Sequence, residues 1–223
     1  MYKNINTFNK LWEKKIITKP LVIAYEGYAG TGKSTNCKRI LELIKHTTNL
    51  PTGVIRSSIN DYLQNEEQEI LSVHTYQLHT IKNHLNPNIE QNREEIIQRF
   101  LMQIRPINKA INSVISFAAS EKQHLIVDGN HVFPGLMNNN PEVYFLEFYN
   151  KVSNPIQHKK MLCGPTHNRE LSQDEFATAR ILHDYTVEQC IKNNKTVFEY
   201  DISIRMMTEM LENWIGEIIK PYL

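Results

Sequence analysis

Five short apolar runs, at 21–25, 53–56, 124–128, 143–149 and 196–200, recur along the chain with longer stretches of helical periodicity between them. Runs this short and this rich in β-branched and aromatic residues predict buried strands. Between them, 35–46 places Ile40, Leu41, Leu43 and Ile44 at helical spacing, and 90–119 carries a continuous apolar face from Ile96 to Ala118. Pro106 falls within that face and should end or kink the helix, because proline lacks the N–H and clashes with the preceding turn. Further helices are expected over 174–193 and 204–219. At the amino end Phe8, Leu11, Trp12 and Ile16 are spaced near one helical face, which predicts a docking helix within 1–19 that covers the sheet. Asn4, Asn6 and Glu13 fit a presequence or membrane-surface helix poorly. Alternation of this kind predicts one α/β domain over 1–223, a three-layer sandwich with a mainly parallel five-stranded sheet and helices on both faces.

The first run leads directly into Gly27-Tyr28-Ala29-Gly30-Thr31-Gly32-Lys33-Ser34, followed by Thr35 and a helical stretch. Strand, glycine loop and helix in this order form a P-loop. Its glycines let the backbone wrap a polyphosphate with N–H groups turned inward, at a helix N-terminus whose dipole favours anions. Lys33 supplies a point charge to the β- and γ-phosphates, and the Ser34 hydroxyl is a ligand for Mg²⁺. ATP and Mg²⁺ are therefore the expected cofactors, with residues 27–35 as the nucleotide cradle.

In an open α/β sheet, ligands bind beyond the carboxyl ends of the strands, so each strand end is a candidate for chemistry. The second run leads into Arg56-Ser57-Ser58-Ile59-Asn60-Asp61. The third ends at Asp128-Gly129-Asn130-His131, and an acid there is what P-loop enzymes use to hold Mg²⁺ or its water shell. Asp-Gly is also a common turn dipeptide, so a purely local role for Asp128 stays open. His131 lies close enough to face the same cleft. Residues 156–172 bring together His158, Lys159, Lys160, His167 and Arg169 around a Gly-Pro break, which suits a lid that carries cations to the transferring phosphoryl group. Arg180, on the following helix, either points back to the phosphates or pairs with a surface acid.

Composition narrows the partners. The 223 residues hold 25 Lys plus Arg against 24 Asp plus Glu, a formal net charge of +1, so no global field gathers nucleic acid or an anionic membrane. No apolar stretch is long enough for a membrane span. The three cysteines, Cys37, Cys163 and Cys190, are odd in number and far apart, which suits reduced thiols and a cytoplasmic location. Cys37 reads as a small buried residue. The expected partner is a small phosphorylated acceptor, and a homodimer is compatible with everything above.

The order of features resembles the 2-phosphoglycerate kinases, P-loop kinases related in fold to the nucleoside monophosphate kinases. Gly32-Lys33-Ser34-Thr35 matches the family's G-K-S-T loop, and 127–135, Val-Asp-Gly-Asn-His-Val-Phe-Pro-Gly, matches its V-E-G-x-H-L-x-P-G segment with aspartate in place of glutamate. Residues 176–185, with Arg180 and Tyr185, match its F-x-x-I-R-x-I-x-x-Y helix. The resemblance spans about 20–200. It implies Lys33, Asp128 and Arg180 as catalytic groups, to which the cation-bearing stretch 156–172 adds Arg169, with Ser34 and Asp128 at the metal and Ser57, Asn60, Asp61, His74, Tyr76 and His131 on the acceptor side. Ser57 and Asn60 stand where the family has aspartate and arginine, and the H-x-S-S-Y patch is reduced to His74-Thr75-Tyr76, so the phosphoryl-transfer side is kept more fully than the acceptor side. The implied reaction is ATP plus 2-phosphoglycerate giving ADP plus 2,3-bisphosphoglycerate. A kinase for another phosphorylated polyol or an inositol phosphate, a zeta-type toxin kinase, and an ATPase switch with a protein partner are the alternatives.

Overall fold

The computed structural model describes residues 2–81, 92–136, 140–164 and 169–223. The described elements are α1 (Lys3–Glu13), β1 (Leu21–Gly27), α2 (Lys33–Leu43), β2 (Thr47–Pro51), α3 (Thr52–Asn60), α4 (Asn65–Ser72), a 3-10 helix (Thr75–Thr80), α5 (Arg93–Ser120), β3 (His124–Asp128), β4 (Tyr144–Lys151), α6 (Pro155–Leu162), α7 (Gln173–Lys192), β5 (Val197–Glu199) and α8 (Tyr200–Ile219). The strands form one sheet in the order β2-β3-β1-β4-β5, every pairing parallel.

The two-residue repeat of a strand explains why this sheet has helices on both faces. In β1, Leu21, Ile23 and Tyr25 face a core built with α1, α2 and α8, whereas Val22 and Ala24 face another built with α3 and α5. A third cluster lies beyond the carboxyl ends of the strands, where Phe100 and Ile104 of α5 meet Tyr28, Tyr76, Leu162 and Leu182. α5 therefore serves two cores, Ile96–Ile104 in the upper one and Ile107–Ala118 in the lower.

Three expectations need correction. The 53–56 run is no strand: it lies in α3, where Val54 is 52% exposed and Ile55 is buried, a helical rather than an alternating pattern. The strand that pairs with β3 is the polar segment Thr47–Pro51, an edge strand ending in proline, where a missing N–H costs the ladder nothing inside the sheet. Of the two outcomes expected at Pro106, the end does not occur: the helix continues from Arg93 to Ser120, because packing on both sides of the proline outweighs the one bond lost to the Met102 carbonyl. Ile16 is 50% exposed, since α1 stops at Glu13 and Lys15 adopts φ 57°, turning Ile17 inward instead. α1 itself packs on α8, whose Glu212 carboxylate accepts the Asn4 and Ile5 N–H groups.

Candidate active site

The P-loop sits between the end of β1 and α2, and its shape is held by bonds from the layers around it. Thr31 Oγ1 and Lys33 Nζ donate to the Tyr28 carbonyl at 2.8 and 3.1 Å. Asn150, at the end of β4 and in register with Gly27, donates to the Thr31 carbonyl at 3.0 Å and accepts from the Tyr25 hydroxyl at 2.9 Å. Gly30 and Gly32 adopt φ 78° and 84°, and a Cβ on Gly30 would lie 2.9 Å from the Leu162 backbone. The loop is thus wedged under α6, and only glycine fits there.

A cleft of about 740 Å³ opens above the loop, within the range of small-molecule sites. Residues 29–35 form its floor, with Asp128, Gly129, Asn130 and His131 beside them. Thr52, Gly53, Arg56, His74, Thr75 and Tyr76 make the far wall, and Lys160 and Arg169 close it from the side of α6. The His74 and Tyr76 rings stack 5.2 Å apart, and the Arg169 guanidinium lies 5.8 Å from the Tyr76 ring centre. No ion pair with a carboxylate is seen for Arg56 or Arg169 among the described residues, which leaves two positive charges facing the cavity. Lys33 is buried, which lowers its pKa, while Asp128 and Glu26 act in the opposite direction and favour its charged form.

Asp128 is buried at the carboxyl end of β3, beside Tyr25 of β1 and Pro51 of β2. Its Oδ1 has no hydrogen-bond partner among the described residues. An orphaned carboxylate oxygen this deep needs a cation or a donor that the described residues do not supply. Gly129 follows at φ 149°, and a Cβ there would overlap Thr52 Oγ1, so the turn brings β3 against the start of α3. The exposed Ser34 hydroxyl lines the same cleft. One carboxylate, one hydroxyl and room for phosphate oxygens fit Mg²⁺, which keeps several waters and seldom takes an all-protein cage. No group of three His, Cys, Asp or Glu side chains suited to a metal occurs among the described residues.

Other sequence-predicted residues lie elsewhere. Ser57, Asn60 and Asp61 do not line the cleft: with α3 beginning at Thr52, they fall one to two turns past Gly53, and Ser57 and Asp61 are exposed. Their place is taken by Thr52 and Arg56, four residues apart on one face, which the misread strand concealed; Pro51 just before Thr52 was the available sign of a helix start. Asn130, whose amide donates to Thr75 Oγ1, also went unnoticed. His131 borders the cleft, but its ring is locked between Thr52 Oγ1 on Nδ1 and Gln103 Oε1 on Nε2. Tyr28 contributes its carbonyl, while its buried hydroxyl donates to Thr75. Arg180 does not reach the cleft: its guanidinium donates to the Val152 carbonyl, His158 and Asp184. Within the 156–172 stretch, α6 is docked, with His158 and Leu162 fully buried, and Lys159 lies over the Phe176 ring. His167 falls outside the described residues.

Burial holds three imidazoles neutral: His131 is lowered to about 3, and His124 and His158 to about 4. An unfolded chain protonates each near pH 6.5, whereas the fold admits no proton until much lower pH. Stability is therefore complete above that range and falls with pH, by about 1.4 kcal/mol per unit for each histidine between roughly pH 6 and 4. Urea midpoints at pH 7 and pH 4.5 should differ sharply; equal midpoints would mean that these rings are hydrated.

A parallel sheet ordered 2-3-1-4-5, a P-loop after β1 and an acid at the end of the adjoining β3 define the P-loop kinase fold. No protein-family model matches the chain. In sequence it is similar to curated 2-phosphoglycerate kinases: 25% identical over 207 residues to that of Methanococcus maripaludis strain C6, covering 89% of this chain and 65% of the relative. For strain C7 the figures are 23% over 234 residues, 98% and 74%, and for Methanopyrus kandleri 24% over 221 residues, 94% and 63%. The chain thus spans about two thirds of the length of these relatives. The likeness is to phosphotransferases. No helix among the described residues is long and apolar enough to cross a membrane.

Proposed function

We propose that the protein is an ATP- and Mg²⁺-dependent kinase acting on a small phosphorylated acceptor, with 2-phosphoglycerate as the first candidate and 2,3-bisphosphoglycerate as its product. The observation that carries this reading is the orphaned, buried oxygen of Asp128 between the P-loop and a wall that carries Arg56, bonded to the Val73 carbonyl, and Arg169, neither ion-paired among the described residues. An ATP-hydrolysing switch needs the loop and the acid, but has no use for Arg56, His74 and Arg169 opposite them.

The P-loop N–H groups and Lys33 bind the triphosphate and turn its γ-phosphoryl toward the far wall. Arg56 and Arg169 hold the anionic acceptor there, with its hydroxyl toward Asp128. As the hydroxyl oxygen attacks phosphorus and the bond to the β-phosphate oxygen breaks, Asp128 accepts the hydroxyl proton or orders the water that does, and Arg169 faces the charge spread over the equatorial oxygens. Mg²⁺, held by Ser34 and the Asp128 side, would supply charge neutralisation across the β- and γ-phosphates. Ser57 and Asn60, the positions that depart from the family pattern, lie outside the cleft and so do not argue against this acceptor. Three unpaired cysteines suit a reducing cytoplasm.

The test is ATP consumption by the purified chain with Mg²⁺ against phosphoglycerates, sugar phosphates, inositol phosphates and nucleotides. Turnover dependent on 2-phosphoglycerate is the expected result. Turnover with a different phosphorylated polyol would keep the kinase and change the acceptor, and acceptor-independent hydrolysis alone would favour the switch.

A further inference from the structure

Three P-loop peptides have their carbonyls tied by side chains, and one of these ties comes from an unexpected direction. Tyr28 O is held from within the loop and Thr31 O by Asn150. Ala29 O is held by His158 Nε2, 2.8 Å away on α6. The other ring nitrogen, His158 Nδ1, is 3.2 Å from Arg180 Nη1. A guanidinium only donates, so Nδ1 must accept, the proton must sit on Nε2, and His158 donates to the P-loop carbonyl.

Arg180 is itself fixed. The same Nη1 donates to Val152 O at 2.9 Å, and Nη2 donates to Asp184 Oδ1 at 2.6 Å. Asp184 Oδ1 also accepts from His183 Nδ1 at 2.8 Å, and His183 Nε2 takes the Val152 N–H at 3.1 Å. Residues 180, 183 and 184 on one face of α7 thus grip the segment just after β4 and set the tautomer of His158. Burial, with the adjacent His183 and Arg180, keeps that imidazole neutral, while its bond to Ala29 and the Asp184 carboxylate act the other way.

We propose that Asp184, Arg180 and His158 form a positioning relay that orients the Ala29–Gly30 peptide of the P-loop for nucleotide binding. This rests on the kinase reading above. In a trans peptide the C=O and N–H point in opposite directions, so a carbonyl pulled toward His158 sends the Gly30 N–H the other way. Gly30 lines the cleft floor, and its N–H becomes one of the donors that the phosphates meet. Arg180, for which the sequence leaves open a phosphate contact or an ion pair with a surface acid, makes the ion pair with Asp184 and acts two bonds removed from the phosphates. Leu162, whose backbone abuts Gly30, keeps α6 close enough for the bond to form.

The test is direct binding of a fluorescent ATP analogue to the full chain and to two variants, with melting temperature measured alongside. His158→Phe fills the space without a donor, while His158→Gln keeps an amide donor near the Nε2 position. The expected result is an analogue Kd raised about 5- to 10-fold for Phe, the scale of one hydrogen bond, and within about 2-fold of the parent for Gln, with both variants melting as folded proteins. Equal affinity in the parent and the Phe variant would overturn the relay, as would equal losses in Phe and Gln, since the donor would then be irrelevant. If the Phe variant fails to fold, the Gln variant decides: a Gln Kd raised as far as that predicted for Phe overturns the relay. A parent chain that binds no analogue would overturn the kinase reading and this inference with it.

Discussion

Lys33→Ala should remove phosphoryl transfer, by at least ~10³ in rate, while leaving a folded protein. The side chain contributes a charge to the cleft floor and a bond to the Tyr28 carbonyl, and it packs no core cluster. The loop would keep its shape through the Thr31 and Asn150 bonds, so the loss should lie in kcat and in nucleotide affinity rather than in melting temperature. Lys33→Met, which fills the space without charge, should likewise lose transfer while leaving a folded protein. Unchanged turnover in a folded Lys33→Ala protein would remove the P-loop from the chemistry.

The second large effect is expected at Asp128. Asp128→Asn preserves the shape and removes the charge, and kcat should fall by about 10² to 10³ with the nucleotide still bound. Asp128→Glu, which restores the charge with the family's residue, should retain far more activity than Asn. Stability should move little, because an amide is cheaper than a carboxylate to leave without a partner while the buried Lys33 ammonium loses one of the carboxylates that favour its charge. Full activity of Asp128→Asn across a range of Mg²⁺ concentrations would reduce the acid to a turn former.

What could be read along the chain, and what could not, follows from the range of the forces involved. The P-loop and Asp128 were legible because their chemistry is local: a strand, a turn and a helix N-terminus placed within a few residues of each other. β1, β3 and β4 were legible because they carry short apolar runs, fully buried in β1 and β3 and partly so in β4. β2 was not, because an edge strand with little burial carries no such requirement, and the apolar 53–56 run beside it gave a false signal that moved the α3 part of the cleft wall by one turn, while His74, Tyr76 and His131 fall on the cleft as expected. Arg56 and Thr52 were lost to that one error. The role of Arg180 was out of reach for another reason, since its partners at 152 and 158 are brought to it only by the packing of α7 against the end of β4.

α5 separates the fixed part of this architecture from the part that can vary. From Ile107 onward it is a beam set into the sheet core, while its first half carries the segment 70–81 on contacts at Ile96, Phe100 and Gln103, the last also bonded to the Ile70 and Val73 carbonyls. The far wall of the cleft is therefore mounted on a fixed support. Substitutions at its cleft-facing positions, such as Arg56 and His74, can change what it meets while Ile55 and Leu71 stay in the sheet core and Thr75 stays bonded to Tyr28.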